Sequence, residues 1–243
     1  MYKYVWILLF FSQLSYVNTA NAFDYYILAL SWQSAWCESR PTSRVCKDQA
    51  PGDFGATHFS LHGLWPSNPA ESDSYCALPE ATVNNYENTQ WCDLPKLDLS
   101  SAVRNDLENY MPGQAACLHR HEWYKHGTCS GLSAEQYYTL SHQLVKQFAK
   151  TQFSQLITDN IGKAIKRSTL LRAFQKEIGD SRYLSLQCRT VDGQALLTEI
   201  RIYLKKDLPN TVSDVKSLLL QDTQVRAKGT CPQTIKIDEV GMG

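Results

Sequence analysis

Phe59-Ser60-Leu61-His62-Gly63-Leu64-Trp65-Pro66 reads as the end of a buried strand that carries a histidine: Phe59, Leu61 and Leu64 are apolar, and Gly63 and Pro66 break the regular backbone. A side chain at a strand terminus is presented by a rigid scaffold, a favoured place for catalysis. Downstream, His121-Glu122-Trp123-Tyr124-Lys125-His126-Gly127-Thr128-Cys129 supplies partners for it. In a helix Glu122 and His126, four apart, project from one face about 40° from each other, with Lys125 beside them. His121 and His126, five apart, diverge by roughly 140°, so this is not the spacing with which a zinc-protease helix grips its metal. Lys125 would also repel a divalent cation. Histidines, a carboxylate and a lysine without metal spacing suit proton transfer around a phosphate.

Outward from these stretches, the N-terminus carries Lys3, an apolar run from Val5 to Phe11, and then Ala20-Asn21-Ala22. This is the pattern of a secretory signal peptide over residues 1–22, leaving a mature chain of 23–243 in the periplasm or secreted. No later stretch approaches the ~18 apolar residues of a membrane span. Removing Lys3 leaves 23 basic against 24 acidic residues. A near-neutral chain has no bulk charge with which to gather nucleic acid, so polyanion affinity must be local. Lys163, Lys166, Arg167, Arg172 and Lys176 offer one basic patch, or a solvated helix face.

All eight cysteines follow the leader, an even number that in an exported chain implies disulfides; about 105 pairings are open to eight cysteines. Without a Cys-x-x-Cys, zinc ribbons and thioredoxin-like sites have no support. The rest reads as one domain. Strands are predicted at Tyr25 to Trp32, Tyr183 to Arg189 and Leu196 to Leu204, the last with Leu197, Glu199, Arg201 and Tyr203 on one face. Ser100 opens a helix stopped by Pro112-Gly113, and Ser133-Ala134-Glu135-Gln136 is a capping box opening another. Ser168 caps a third, closed by Gly179. Helices in the middle and strands at both ends predict an α+β domain: a mainly antiparallel sheet flanked by helices and stapled by disulfides. Ser67 to Leu99, with three prolines and two cysteines, reads as a pinned surface excursion and a candidate substrate rim.

The two histidine stretches resemble the paired active-site motifs of the ribonuclease T2 family, and the likeness runs from Tyr25-Tyr26-Ile27-Leu28-Ala29-Leu30-Ser31-Trp32 to Cys231-Pro232. Leu28-Ala29-Leu30-Ser31-Trp32-Gln33-Ser34, Met111-Pro112-Gly113 and Leu197-Thr198-Glu199-Ile200 make it most similar to exported bacterial members. The resemblance implies that His62, Glu122 and His126 are catalytic, with His126 as base and His62 as acid, and that His121 and Lys125 hold phosphate. It also implies Cys37 with Cys46, Cys76 with Cys129, Cys92 with Cys117, and Cys188 with Cys231. Ser31 stands where many members have a base-holding glutamine, so their base preference does not carry over.

The chemistry follows from the residue types. An RNA phosphodiester carries its own nucleophile, the 2′-hydroxyl; one group must remove that proton and another protonate the departing 5′-oxygen. Two imidazoles do both near neutrality without metal or cofactor. Lys125 would stabilise negative charge on the non-bridging oxygens, and Glu122 would hydrogen-bond the phosphate and bias the histidines. Trp65 is a candidate for stacking a base. His58 is assigned a structural or exposed role, His119 and His142 the surface, and Trp123 and Tyr124 packing. The expected protein is a monomeric endoribonuclease on single-stranded RNA, with no cofactor, metal or membrane partner. Rival readings are a metal-dependent hydrolase and a catalytically silent member of the same fold that binds RNA or protein.

Overall fold

The apolar run Tyr25-Tyr26-Ile27-Leu28-Ala29-Leu30 forms strand β1 (Tyr25–Ser31), buried almost throughout, as a central strand should be. It pairs antiparallel with β2 (Ser60–Ser67) on one side and with β5 (Gln194–Lys205) on the other. β4 (Leu184–Val191) pairs antiparallel with β5. β6 (Thr234–Lys236) meets β5 in parallel at one position and joins β3 (Ala164–Lys166) antiparallel. The computed structural model describes residues 23–241 apart from 48, 70–73 and 77, so the expected leader, 1–22, lies outside the described residues.

Eight helices among the described residues surround the sheet: α1 (Gln33–Glu38), α2 (Phe54–Thr57), α3 (Glu80–Glu87), α4 (Ser101–Tyr110), α5 (Leu118–Lys125), α6 (Ala134–Ala149), α7 (Gln152–Thr158) and α8 (Arg167–Glu177). This is the predicted α+β domain with a mainly antiparallel sheet. Ser100 accepts from the Val103 amide, and Ser133 closes its capping box with Gln136, as their sequences predict. Ser168 does not cap α8. Lys166 occupies that position with no side-chain cap, because it is also the last residue of β3 and strand pairing fixes the turn into the helix. None of the described helices is long and apolar enough to cross a membrane.

Cross-strand partners share a face, so register sorts the sheet's two sides. Leu28, Leu30, Leu61, Leu64, Ile200, Ile202 and Leu204 face the core. There a run of ring contacts links Trp32, Phe59, Phe148, Phe153 and Phe174, tying β1 to α6, α7 and α8. Tyr137 of α6 reaches the edge strand, its hydroxyl donating to the Leu64 carbonyl at 2.9 Å and accepting from the Leu64 amide at 3.0 Å. The other face carries Ala29, Gly63, Trp65, Glu199 and Arg201.

Two surface assignments are corrected. His142 is only 1% exposed, packed between Tyr110 and Tyr138, and burial lowers its pKa to about 4. It lies on the same helical stripe as Tyr138 and Val145, which the 3.6-residue period places inward. His119 is half-buried, and burial lowers its pKa to about 4 as well. His58 keeps its structural role, stacking on Phe54 at 4.8 Å.

All four disulfides match the pairing implied by the family resemblance. Two of them bracket α5: Cys117, immediately before it, joins Cys92, and Cys129, in the turn after it, joins Cys76. A helix of eight residues has no independent stability in water. Closing these two loops restricts the unfolded chain by about 3–4 kcal/mol each in the chain-entropy account. The segment between Ser67 and Leu99 thus serves as the anchor of α5.

Candidate active site

His62 is not at a strand end, as the glycine and proline after it suggested; β2 runs on through Pro66. Proline is tolerated there because β2 is the edge of the sheet. What presents His62 is a β-bulge. Gly63 pairs with Ala29 and Leu61 with Leu30, leaving His62 as the extra residue between them. Strict alternation would send His62 and Trp65, three apart, to opposite faces. The bulge turns both to the same side, their rings 5.3 Å apart.

α5 crosses this face and delivers Glu122, which is 1% exposed. Its Oε2 accepts from the Trp65 indole nitrogen at 2.7 Å, while Oε1 stands 3.5 Å from His62 Nε2. Gly63 makes the approach possible: a β-carbon there would fall 2.1 Å from Glu122 Oε2 and 2.4 Å from Trp65 Nε1. α5 ends at Lys125, and His126 follows as its C-terminal cap, its amide donating to the Glu122 carbonyl. The buried His126 ring lies 5.3 Å from the Trp65 ring, so His62 and His126 flank one indole.

Trp65, expected to offer its face to a base, is also covered by the Arg201 guanidinium at 5.1 Å. The exposed aromatic of the site is Trp91, from the 67–99 excursion, stacked on His121 at 4.6 Å. Trp91 and Trp36 line a slot of about 190 Å³ that opens beside His62 and includes Ser31, Gln33 and Ser60. Trp123 packs on Tyr137 and Tyr124 on Tyr86, as assigned.

Two residues escaped the reading of the site. Glu199 on β5 accepts from His62 Nδ1 at 2.6 Å, the nitrogen donating because a carboxylate can only accept. Arg201 Nε donates to the other oxygen of Glu199 at 2.6 Å. The signal was two opposite charges at i and i+2 on one face of an otherwise apolar strand.

Electrostatics separate the His62 and His121 imidazoles. Burial opposes charge on His62, but Glu122 and Glu199 outweigh it and raise its pKa above 6.5. Burial lifts Glu122 above 4.5 despite His62, Trp65 and Lys125. Burial, then Lys125 and His62, lowers His121 to about 4, which keeps it neutral near pH 7. Lys125 is thus close enough to act on both Glu122 and His121. In the basic patch, Lys163 and Arg167 donate to the carbonyls of Asp159 and Cys231. Among the described residues no group of three or more His, Cys, Asp or Glu is placed to hold a metal ion.

The sequence profile of the Ribonuclease T2 family matches residues 23–234. Ribonuclease I of Escherichia coli (strain K12) is 30% identical over 90% of this chain and 87% of its own length. Among solved structures, the SF11-RNase associated with gametophytic self-incompatibility in Nicotiana alata superposes with a TM-score of 0.63 at 18% identity, covering 89% of this chain and 100% of its own. A mutant of RNase MC1, a protein of bitter gourd seeds, in complex with 5′-UMP superposes with a TM-score of 0.59 at 20% identity, covering 88% of this chain and 98% of its own. The two structural likenesses show the fold.

Proposed function

Because the chain belongs to the ribonuclease T2 family, we propose that it is an exported, metal-independent endoribonuclease that cleaves single-stranded RNA by transphosphorylation, leaving a 2′,3′-cyclic phosphate and a 5′-hydroxyl. The observation that carries this reading is the pair of imidazoles, His62 and His126, flanking one indole around the buried Glu122. An acid must begin protonated, and His62, facing two carboxylates, holds its proton above the ordinary histidine range. His126 then takes the proton of the 2′-hydroxyl as base while His62 gives one to the leaving 5′-oxygen. Lys125 meets the phosphate oxygens and neutral His121 adds a donor, while Glu122 can donate to them only in its protonated form, which its burial favours. Trp65 holds Glu122 in place. The periplasm or the extracellular space follows from the leader, and one copy of the chain supplies every group named.

The test is cleavage of a defined oligoribonucleotide and its DNA counterpart, with and without EDTA. RNA should be cut at an unchanged rate in chelator while DNA stays intact, since the nucleophile is the 2′-hydroxyl. Activity lost in EDTA and restored by zinc or magnesium would overturn the reading.

The slot between Trp36 and Trp91 accommodates a base, and an exposed indole stacked on His121 is a ready platform for it. Base-on-aromatic stacking is worth about 1–3 kcal/mol. Trp91→Ala should therefore raise KM roughly 5- to 150-fold with a much smaller change in kcat. An unchanged KM would remove Trp91 from substrate binding.

A further inference from the structure

We propose that Glu199, itself held by Arg201, is the positioning residue for His62: it fixes which imidazole nitrogen faces the phosphate and keeps that ring charged. The inference rests on the proposed role of His62 as acid and extends it to two residues of β5.

Position argues for it first. His62 is the extra residue of a bulge, so the ladder on either side does not fix its ring. Glu199 lies on β5 between β1 and β4, registered against Ser31 and Gln187, and is 9% exposed. The ring on the irregular strand is thus fastened to a carboxylate on a regular interior one.

The contacts close a circuit. His62 Nδ1 donates to Glu199 Oε2 at 2.6 Å, and Arg201 Nε donates to Glu199 Oε1 at 2.6 Å. The Arg201 guanidinium lies over Trp65 at 5.1 Å, and Trp65 Nε1 donates to Glu122 Oε2 at 2.7 Å. Glu122 Oε1 returns to His62 Nε2 at 3.5 Å. The two carboxylates therefore have different tasks. Glu199 makes the short bond and keeps it. Glu122 stands at the longer distance, on the nitrogen that must be released to substrate. With Nδ1 committed, Nε2 is the nitrogen left to donate, the logic by which a partner behind an imidazole sets its tautomer.

Charge agrees. Burial pulls the Glu199 carboxyl upward, but His62 and Arg201 prevail and hold it below 4.5, so it stays ionised. The groups acting on His62 are Glu122 and His121 from α5 and Glu199 and Arg201 from β5; Glu122 and Glu199 favour its charge, Arg201 and burial oppose it.

Glu199→Gln preserves the shape and removes the charge, and Glu199→Asp preserves the charge on a shorter arm. Each variant is compared with wild type by NMR titration of the His62 ring in RNA-free protein and by kcat, KM and the pH profile on an oligoribonucleotide. Glu199→Gln should move the His62 titration to lower pH and shift the alkaline limb of kcat/KM the same way. It should lower kcat about 10- to 100-fold, the range seen when a partner behind a metal-bound imidazole is lost, and leave KM nearly unchanged. Glu199→Asp should recover part of both the titration and kcat. An unshifted His62 titration in Glu199→Gln overturns the proposal, whatever happens to kcat; so does a kcat loss that Glu199→Asp leaves unrelieved. A wild-type chain that leaves RNA intact would defeat the proposed function, while the titration would still read the clamp.

Discussion

His62→Ala and His126→Ala should each keep the fold and RNA affinity and lose most of the turnover, about 10²–10⁴-fold in kcat for a positioned proton-transfer group. His62 is 31% exposed at its side chain and sits on an edge strand, so truncation removes little packing. His126 is buried, and circular dichroism must accompany its kinetics. Acid and base serve one reaction, so the double variant should be little worse than the poorer single. Wild-type turnover in either single variant would remove that histidine from the mechanism. The pH dependence has a defined sign: the acid works only while charged, so activity should fall as pH rises through the raised pKa of His62, above 6.5.

Gly63→Ala should be nearly as damaging, although it changes no reacting group. A methyl at this position would overlap Glu122 Oε2 at 2.1 Å and Trp65 Nε1 at 2.4 Å. Trp65 is wedged between His62, His126 and Arg201, so the carboxylate of Glu122 has to give way. A shift of about 1 Å in a positioned group costs on the order of 10²-fold, and overpacking of this kind costs about 1–3 kcal/mol of stability. Both kcat and the thermal midpoint should fall, with kcat affected further than the stability loss explains. Unchanged activity in Gly63→Ala would mean that the Glu122 carboxylate is not held where it works.

Sequence spacing brought the candidate groups into view but not the device that brings them together. His62 was legible as a presented histidine, yet the bulge behind it is a matter of register between β2 and β1. No local pattern in Phe59 to Pro66 specifies that register. Glu199 was legible as a strand residue on the face of Arg201 and Tyr203. That this face meets His62 depends on β1 lying between β2 and β5, a tertiary fact. The helices opened by Ser100 and Ser133 were legible because their caps are local chemistry. α8 was misplaced at its start because strand pairing set its turn, and His142 was misassigned although the helical period already pointed it inward.

Attack by the 2′-hydroxyl, with two imidazoles moving the protons, is checked by cleaving a defined oligoribonucleotide in ¹⁸O-labelled water with EDTA present and weighing the first products. That route gives a 2′,3′-cyclic phosphate without ¹⁸O and a partner fragment ending in a 5′-hydroxyl. A first product that has taken up ¹⁸O, or a fragment ending in a 5′-phosphate, would mean that water is the nucleophile and would contradict it.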